Sequence, residues 1–163
     1  IALKKQIDEI KAERKKAADK KKAEEKKIAD QKEADRQKAI EDVKKEFSLM
    51  ESQIAFFGFS QGAMMGLYHL CKRKQSCAGL LAYSGLLFED KEFENEVSSK
   101  FPIRIFHGKD DEVIHYENSL NSYNKLKKMG FSVDHYIQDN LGHGIDKFGL
   151  EYGNDFLKKI FKV

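Results

Sequence analysis

Three kinds of side chain in this sequence could together cleave an acyl bond: a serine, a carboxylate and a histidine. Ser60 stands in Gly58-Phe59-Ser60-Gln61-Gly62, a Gly-x-Ser-x-Gly pattern. Between a strand and a helix, that pattern builds a nucleophile elbow, with the serine in a sharp, strained turn. Glycine on both sides lets strand and helix pass closely, and the turn presents the hydroxyl at the head of a helix. The N–H of the next residue, Gln61, then points at the oxyanion that develops as the hydroxyl attacks a carbonyl. The bland alternative is a tight glycine turn that happens to hold a serine.

A serine nucleophile needs a base, and the base needs an orienting carboxylate. After an elbow the chain order is serine, acid, histidine. The stretch His107-Gly108-Lys109-Asp110-Asp111-Glu112-Val113-Ile114 offers two acids, Asp111, which is favoured, and Asp110. Asn140-Leu141-Gly142-His143-Gly144 offers the base, His143. Its flanking glycines permit a special backbone conformation. The remaining histidines read as structural: His69 on a helix, His135 within a strand, and His107 and His115 beside the acid loop. No cluster has metal-ligand spacing, so no metal is expected. Cys71 and Cys77 suit buried thiols better than a disulfide framework.

The elements that must position these residues alternate. Ile54 to Phe59 is an apolar run ending at the elbow, a buried strand. A helix over 61–73 follows, then a second buried strand over 77–84, a polar loop or short helix over 90–99, and a third strand from Phe101 to Phe106. A helix over 116–129 ends at Gly130, as helices often do. Val133 to Ile137 is a fourth strand. A last helix over 150–161 turns Phe156, Leu157, Ile160 and Phe161 inward. Strand alternating with helix implies a parallel sheet covered by helices.

The N-terminal segment is different in kind. Residues 1–46 carry 16 Lys/Arg and 12 Asp/Glu with no Gly or Pro, whereas the rest of the chain is nearly neutral and holds all 6 Tyr and all 11 Gly. Opposite charges recur at helical spacing, as in Lys4/Asp8, Lys21/Glu25 and Glu41/Lys45, which supports one long solvated helix. A heptad seam through Leu3, Ile7, Ile10, Arg14, Ala17, Lys21, Glu24 and Ile28 starts apolar and then fails, so pairing with a partner helix is the weaker reading. Mixed signs without interleaved aromatics argue against nucleic acid. From Ala39 the pattern becomes amphipathic, through Ile40, Val43, Phe47 and Met50, which suits packing on a sheet. Residues 1–38 therefore read as a charged helix, and 39–163 as the catalytic domain. No apolar run reaches membrane-spanning length and no signal peptide opens the chain, so a soluble cytoplasmic protein is expected.

From about Ala39 to Val163 the chain resembles the acyl-protein thioesterase / phospholipase-carboxylesterase family of α/β-hydrolases. The likeness rests on Gly-Phe-Ser-Gln-Gly at 58–62, Leu-Ala-Tyr-Ser-Gly-Leu-Leu at 81–87, Phe-His-Gly-Lys-Asp-Asp-Glu-Val at 106–113 and Leu-Gly-His-Gly at 141–144. The resemblance implies the C-terminal half of that fold, with about four parallel strands and flanking helices. It also implies hydrolysis of small acyl esters or thioesters through an acyl-enzyme, without a cofactor. The family pattern puts the acid on Asp111, beside Ser60 and His143, with Gln61 N–H as an oxyanion donor. Family members carry Pro where this chain has Glu112 and His115, so a looser acid loop is expected. The family's N-terminal half, whose loop supplies a second oxyanion donor, has no counterpart in 1–52. The strand 54–59 is therefore expected at an open edge, with self-association into a homo-oligomer as a consequence. The competing reading is a non-catalytic remnant whose long helix mediates association.

Overall fold

The structure, a computed structural model, describes residues 2–88 and 92–163. The side chains of Leu3, Ile7 and Asp8, used in the seam and the Lys4 pairing above, lie outside the described residues, as do 89–91. The chain divides into two units, Ile1–Ser48 and Leu49–Val163.

The first unit is the helix α1 (Ala2–Glu46). Strong helix formers fill it, and side-chain pairs one turn apart lace its surface: Arg36 with Glu33 and Lys44 with Glu41, both at 2.9 Å. Val43 and Phe47, on the amphipathic stretch, are exposed. Among the described residues, no helix is long and apolar enough to cross a membrane.

The second unit is an α/β layer structure. Its strands are β1 (Ala55–Phe59), β2 (Gly79–Tyr83), β3 (Ile103–Gly108) and β4 (Val133–Gln138), all parallel and in the spatial order β1-β2-β3-β4. Its helices are α2 (Gln61–Lys72), the short α3 (Phe93–Glu96), α4 (Tyr116–Lys128) and α5 (Lys147–Phe161). Two-residue alternation sorts the strand side chains between two faces. Leu81, Tyr83 and Phe106 meet Phe156 of α5, with Leu157 and Ile160 packed around them. Phe161, expected on that inner face, is 42% exposed. Leu80 lies against Gly66 of α2, and His135 bonds Ser119 of α4, so α2 and α4 share the opposite face. Gly130 has φ +82 and ends α4 as the sequence suggests. Helix α5 begins earlier than the hydrophobic pattern indicates, because Asp146 caps it by accepting from Gly149 N–H at 2.7 Å.

Two buried features tie the fold around β1 and α2. Glu51, just before β1, forms a buried ion pair with Arg73, just after α2; Arg73 Nη2 donates to Glu51 Oε2 at 2.7 Å and Nε donates to Oε1. Cys71 and Cys77 are free, buried thiols, and burial pushes both up to about 12. The expected open edge is present: among the described residues β2 is the sole strand neighbour of β1, and Phe57 on β1 is 60% exposed.

Candidate active site

Each part of the site stands at the C-terminal end of a strand. β1 runs directly into α2 through Ser60, whose φ of 52° and ψ of −119° lie where an L-residue is strained. The surroundings over-determine this conformation. Ser60 N–H donates to the Tyr83 carbonyl at 2.9 Å, and the Ser60 carbonyl accepts from Met64 N–H at 3.1 Å. A Cβ on Gly58 would stand 2.5 Å from the backbone of Gly62 and Ala63, so only glycine lets the strand pass the helix there. Gly62 does not share this role, since a Cβ on it would meet nothing within 4 Å. Gln61 is the first residue of α2, so its N–H is among the first-turn donors that no intrahelical carbonyl takes.

Asp111 follows β3 and is 2% exposed. Its Oδ1 accepts from Val113 N–H and Ile114 N–H, each at 2.9 Å. The acid loop is thus pinned rather than loose, in spite of Glu112 and His115 standing where the family has proline. Asp110, the other candidate, is exposed.

His143 follows β4. Its Nδ1 lies 2.7 Å from Asp111 Oδ2, and its Nε2 lies 3.0 Å from Ser60 Oγ. The Phe59 ring packs against the imidazole at 4.9 Å between centroids. The loop that carries His143 is docked onto the acid loop. Asp110 N–H donates to the Leu141 carbonyl at 2.9 Å, and Lys109 N–H to the Gln138 carbonyl at 2.8 Å. A Cβ on Gly108 would stand 2.3 Å from the Leu141 and Gly142 carbonyl oxygens, so this glycine is what lets the two loops touch. The left-handed residue of the His143 loop is Asn140, at φ 57°. Gly142 and Gly144 have no positive φ, so the special conformation expected of them falls elsewhere.

The structure therefore brings Ser60, His143 and Asp111 together and leaves Asp110 aside. Burial raises the Asp111 carboxyl pKa, but Ile114 N–H, His143 and Val113 N–H outweigh it, and the group sits below its ordinary value. An ionised carboxylate only accepts, so His143 Nδ1 carries the proton and donates to it. The bare Nε2 then accepts from the Ser60 hydroxyl. The arrangement can draw the hydroxyl proton toward His143 while Asp111 stabilises the resulting imidazolium.

The other histidines separate. His69 packs edge-on against Tyr68, His115 stands at the N-cap position of α4 without a side-chain cap bond, and His135 bonds Ser119 and stacks on Tyr123. His107 is not a bystander of the acid loop, because its Nε2 lies 3.0 Å from Asp111 Oδ2. Sequence reasoning missed it. The available signal was alternation, since Ile103, Ile105 and His107 fall on one face of β3 once the strand is carried two residues past Phe106. Among the described residues, no group of three or more His, Cys, Asp or Glu side chains could hold a metal ion.

Comparison with known proteins gives the following. A family model described as phospholipase/carboxylesterase matches residues 13–161. Acyl-protein thioesterase 1 of Neurospora crassa is 32% identical over 110 residues, which cover 64% of this chain and 45% of that protein. A probable inactive carboxylesterase of Oryza sativa is 26% identical over 107 residues, covering 64% of this chain and 44% of that one. Among solved structures, esterase PE8 matches with a TM-score of 0.71 at 32% identity, over 73% of this chain and 55% of that chain. SOBER1 of Arabidopsis thaliana shares the fold, with a TM-score of 0.70 at 23% identity over 76% of this chain and 60% of its own. The chain spans about half the length of the curated relatives it matches.

Proposed function

The chain belongs to the phospholipase/carboxylesterase family, and from that premise we propose that it is a serine hydrolase of carboxylic ester or thioester bonds in small acyl substrates. The reading is carried by one observation: a serine held at positive φ at the head of a helix, linked through His143 to a buried carboxylate at 3.0 and 2.7 Å.

In this reading Ser60 Oγ attacks the acyl carbonyl as His143 Nε2 takes its proton. The negative charge that gathers on the carbonyl oxygen faces the N–H of Gln61 at the positive end of α2. The tetrahedral intermediate collapses, the alcohol or thiol leaves with the proton from His143, and an acyl-Ser60 ester remains. Water then gives a proton to His143, attacks the ester and releases the acid, and Ser60 recovers its proton. Asp111 holds His143 in the tautomer both halves need. Gln61 is the one oxyanion donor assigned among the described residues, and such a donor is worth roughly 10²–10³ in rate. Activated esters, with their good leaving groups, are the substrates on which turnover is read most clearly.

A fluorophosphonate probe tests this, since it needs an activated serine and a usable oxyanion site. The wild-type chain should be labelled on Ser60, and Ser60→Ala should not be labelled. A folded wild-type chain that takes up no probe would overturn the reading and favour a non-catalytic remnant, in line with the relative named as probably inactive.

A further inference from the structure

The reading above gives His107 no part, yet it is the most deeply placed histidine of the site. It lies within β3 and is fully buried. The pairing of Ile105 with His135 and of His107 with Ile137 sets the two histidines diagonally on the face that α4 covers. His107 Nε2 is 2.8 Å from the Ile114 carbonyl and 3.0 Å from Asp111 Oδ2. Both neighbours are acceptors, so Nε2 must carry the proton, and it donates to the Ile114 carbonyl. Nδ1 is buried with no hydrogen-bond partner. A proton there would make a buried, unpartnered cation, which is costly. The neutral form fits the environment: burial lowers the affinity of His107 for a second proton and outweighs the Ile114 carbonyl and Asp111, which pull the other way. His135 across the strand is itself held low, to about 4, by burial and by His107.

Asp111 Oδ1 is held by two backbone N–H groups, and one of them belongs to Ile114, whose carbonyl takes the His107 proton. His107 thereby ties the acid loop to the sheet interior, with its Nε2 3.0 Å from Oδ2. The imidazole of His143 then aligns against an oxygen fixed by β3 and not against another loop. Partners of this outer kind orient the groups that do chemistry.

We propose that His107 is a positioning residue of the site: its Nε2–H, donated to the Ile114 carbonyl at a point 3.0 Å from Asp111 Oδ2, locks the acid loop and with it the carboxylate plane on which His143 aligns. The inference rests on the serine-hydrolase reading. It acts through Asp111 and touches no substrate.

The test compares His107→Phe, which keeps the ring and removes the donor, with His107→Gln, which keeps an N–H near the Nε2 position. Activated-ester turnover is normalised to the fluorophosphonate-titrated serine, so a misfolded fraction drops out. His107→Phe should lower kcat by about 10-fold with little change in KM, as expected for a buried carbonyl of the acid loop left without its donor. His107→Gln should restore most of the loss. On the wild-type chain, imidazole ¹⁵N shifts should show His107 with a protonated Nε2 and a bare Nδ1 from about pH 5 to about pH 8.

Three results sink the proposal by itself, provided the wild type is labelled on Ser60. They are an unchanged kcat in His107→Phe, a Gln variant as poor as the Phe variant, or a His107 that titrates or carries its proton on Nδ1. The ¹⁵N measurement stands even if the Phe variant fails to fold. If the wild type is neither labelled nor active, the hydrolase reading fails first and the proposal falls with it.

Discussion

Replacing Asp111 with asparagine should cripple the site without unfolding it, and the hydrogen bonds say by how much. Three donors are bonded to this side chain, Val113 N–H and Ile114 N–H on Oδ1 and His143 on Oδ2, and His107 Nε2 stands 3.0 Å from Oδ2 as well. A carboxylate accommodates all of them. An amide has one acceptor oxygen and an NH₂ that must face the other pair. With the oxygen toward the backbone, the NH₂ confronts His143, which escapes by moving its proton to Nε2. That nitrogen then faces Ser60 as a donor and can no longer take its proton. With the oxygen toward the imidazoles, two buried backbone N–H groups lose their acceptor, at about 1–3 kcal/mol each. Reaching the productive tautomer therefore costs about 4 kcal/mol, roughly 10³-fold in rate. The same substitution in a serine-protease triad costs ~10⁴. We expect kcat on a p-nitrophenyl ester to fall by about 10³–10⁴ per folded molecule, with the circular dichroism spectrum retained. Asp110→Asn should stay within about twofold, as its side chain is exposed and off the site. An Asp111→Asn chain that keeps a tenth of wild-type kcat, or an Asp110→Asn chain that loses as much, would refute the reasoning.

The elbow makes a paired prediction. Gly58→Ala should cost at least about 2 kcal/mol in urea denaturation, because the new methyl meets backbone at 2.5 Å. Gly62→Ala, with nothing within 4 Å, should be neutral or stabilising by about 0.5 kcal/mol. Equal effects would mean that strand and helix do not touch at Gly58. A third prediction concerns acid stability. Burial holds His135 at about 4, below its unfolded value, so the unfolded chain takes the proton first as pH falls. That contribution is whole above the unfolded pKa of ~6.5 and is lost on the way down to about 4. His135→Gln, which can still meet Ser119, should lose about 2 kcal/mol less stability than wild type between pH 7 and about pH 4.5. Parallel stability curves for the two chains would place the acid sensitivity elsewhere.

What could be read from the sequence was what is local. The apolar run before Gly58, the serine between glycines and the helical pattern after it lie within a few residues of one another, and strand, turn and helix fall where that pattern puts them. The acid and histidine loops were legible for the same reason, as polar glycine-bearing stretches after apolar strands. What escaped depends on contacts across the sheet. His107 looked like part of a loop because the apolar run stops at Phe106. It is strand because β4 pairs with it through Gly108. The glycines around His143 suggested backbone freedom, but the positive φ fell on Asn140, and the glycine that matters there is Gly108 on the neighbouring strand. The match of Glu51 with Arg73 joins residues on either side of a strand and a helix, and no local pattern announces it. The start of α5 was missed for a smaller reason: with Asp146 as its cap the helix begins at Lys147, three residues ahead of the expected start at 150.

That buried pair has a consequence for how the nucleophile is kept. Glu51 precedes β1 and Arg73 follows α2, so their bond closes residues 51–73 into a ring that contains Ser60. In an open chain, a serine at φ 52° could relax by letting the strand slip or the helix unwind from its far end. In a clasped ring neither end moves without breaking a buried charge pair, which leaves two charges uncompensated away from water. Strand, turn and helix are thereby made to open together as one cooperative unit. The backbone strain at Ser60 thus belongs to a mechanical loop, sustained at a clasp remote from the hydroxyl, and it persists for as long as that clasp stays shut.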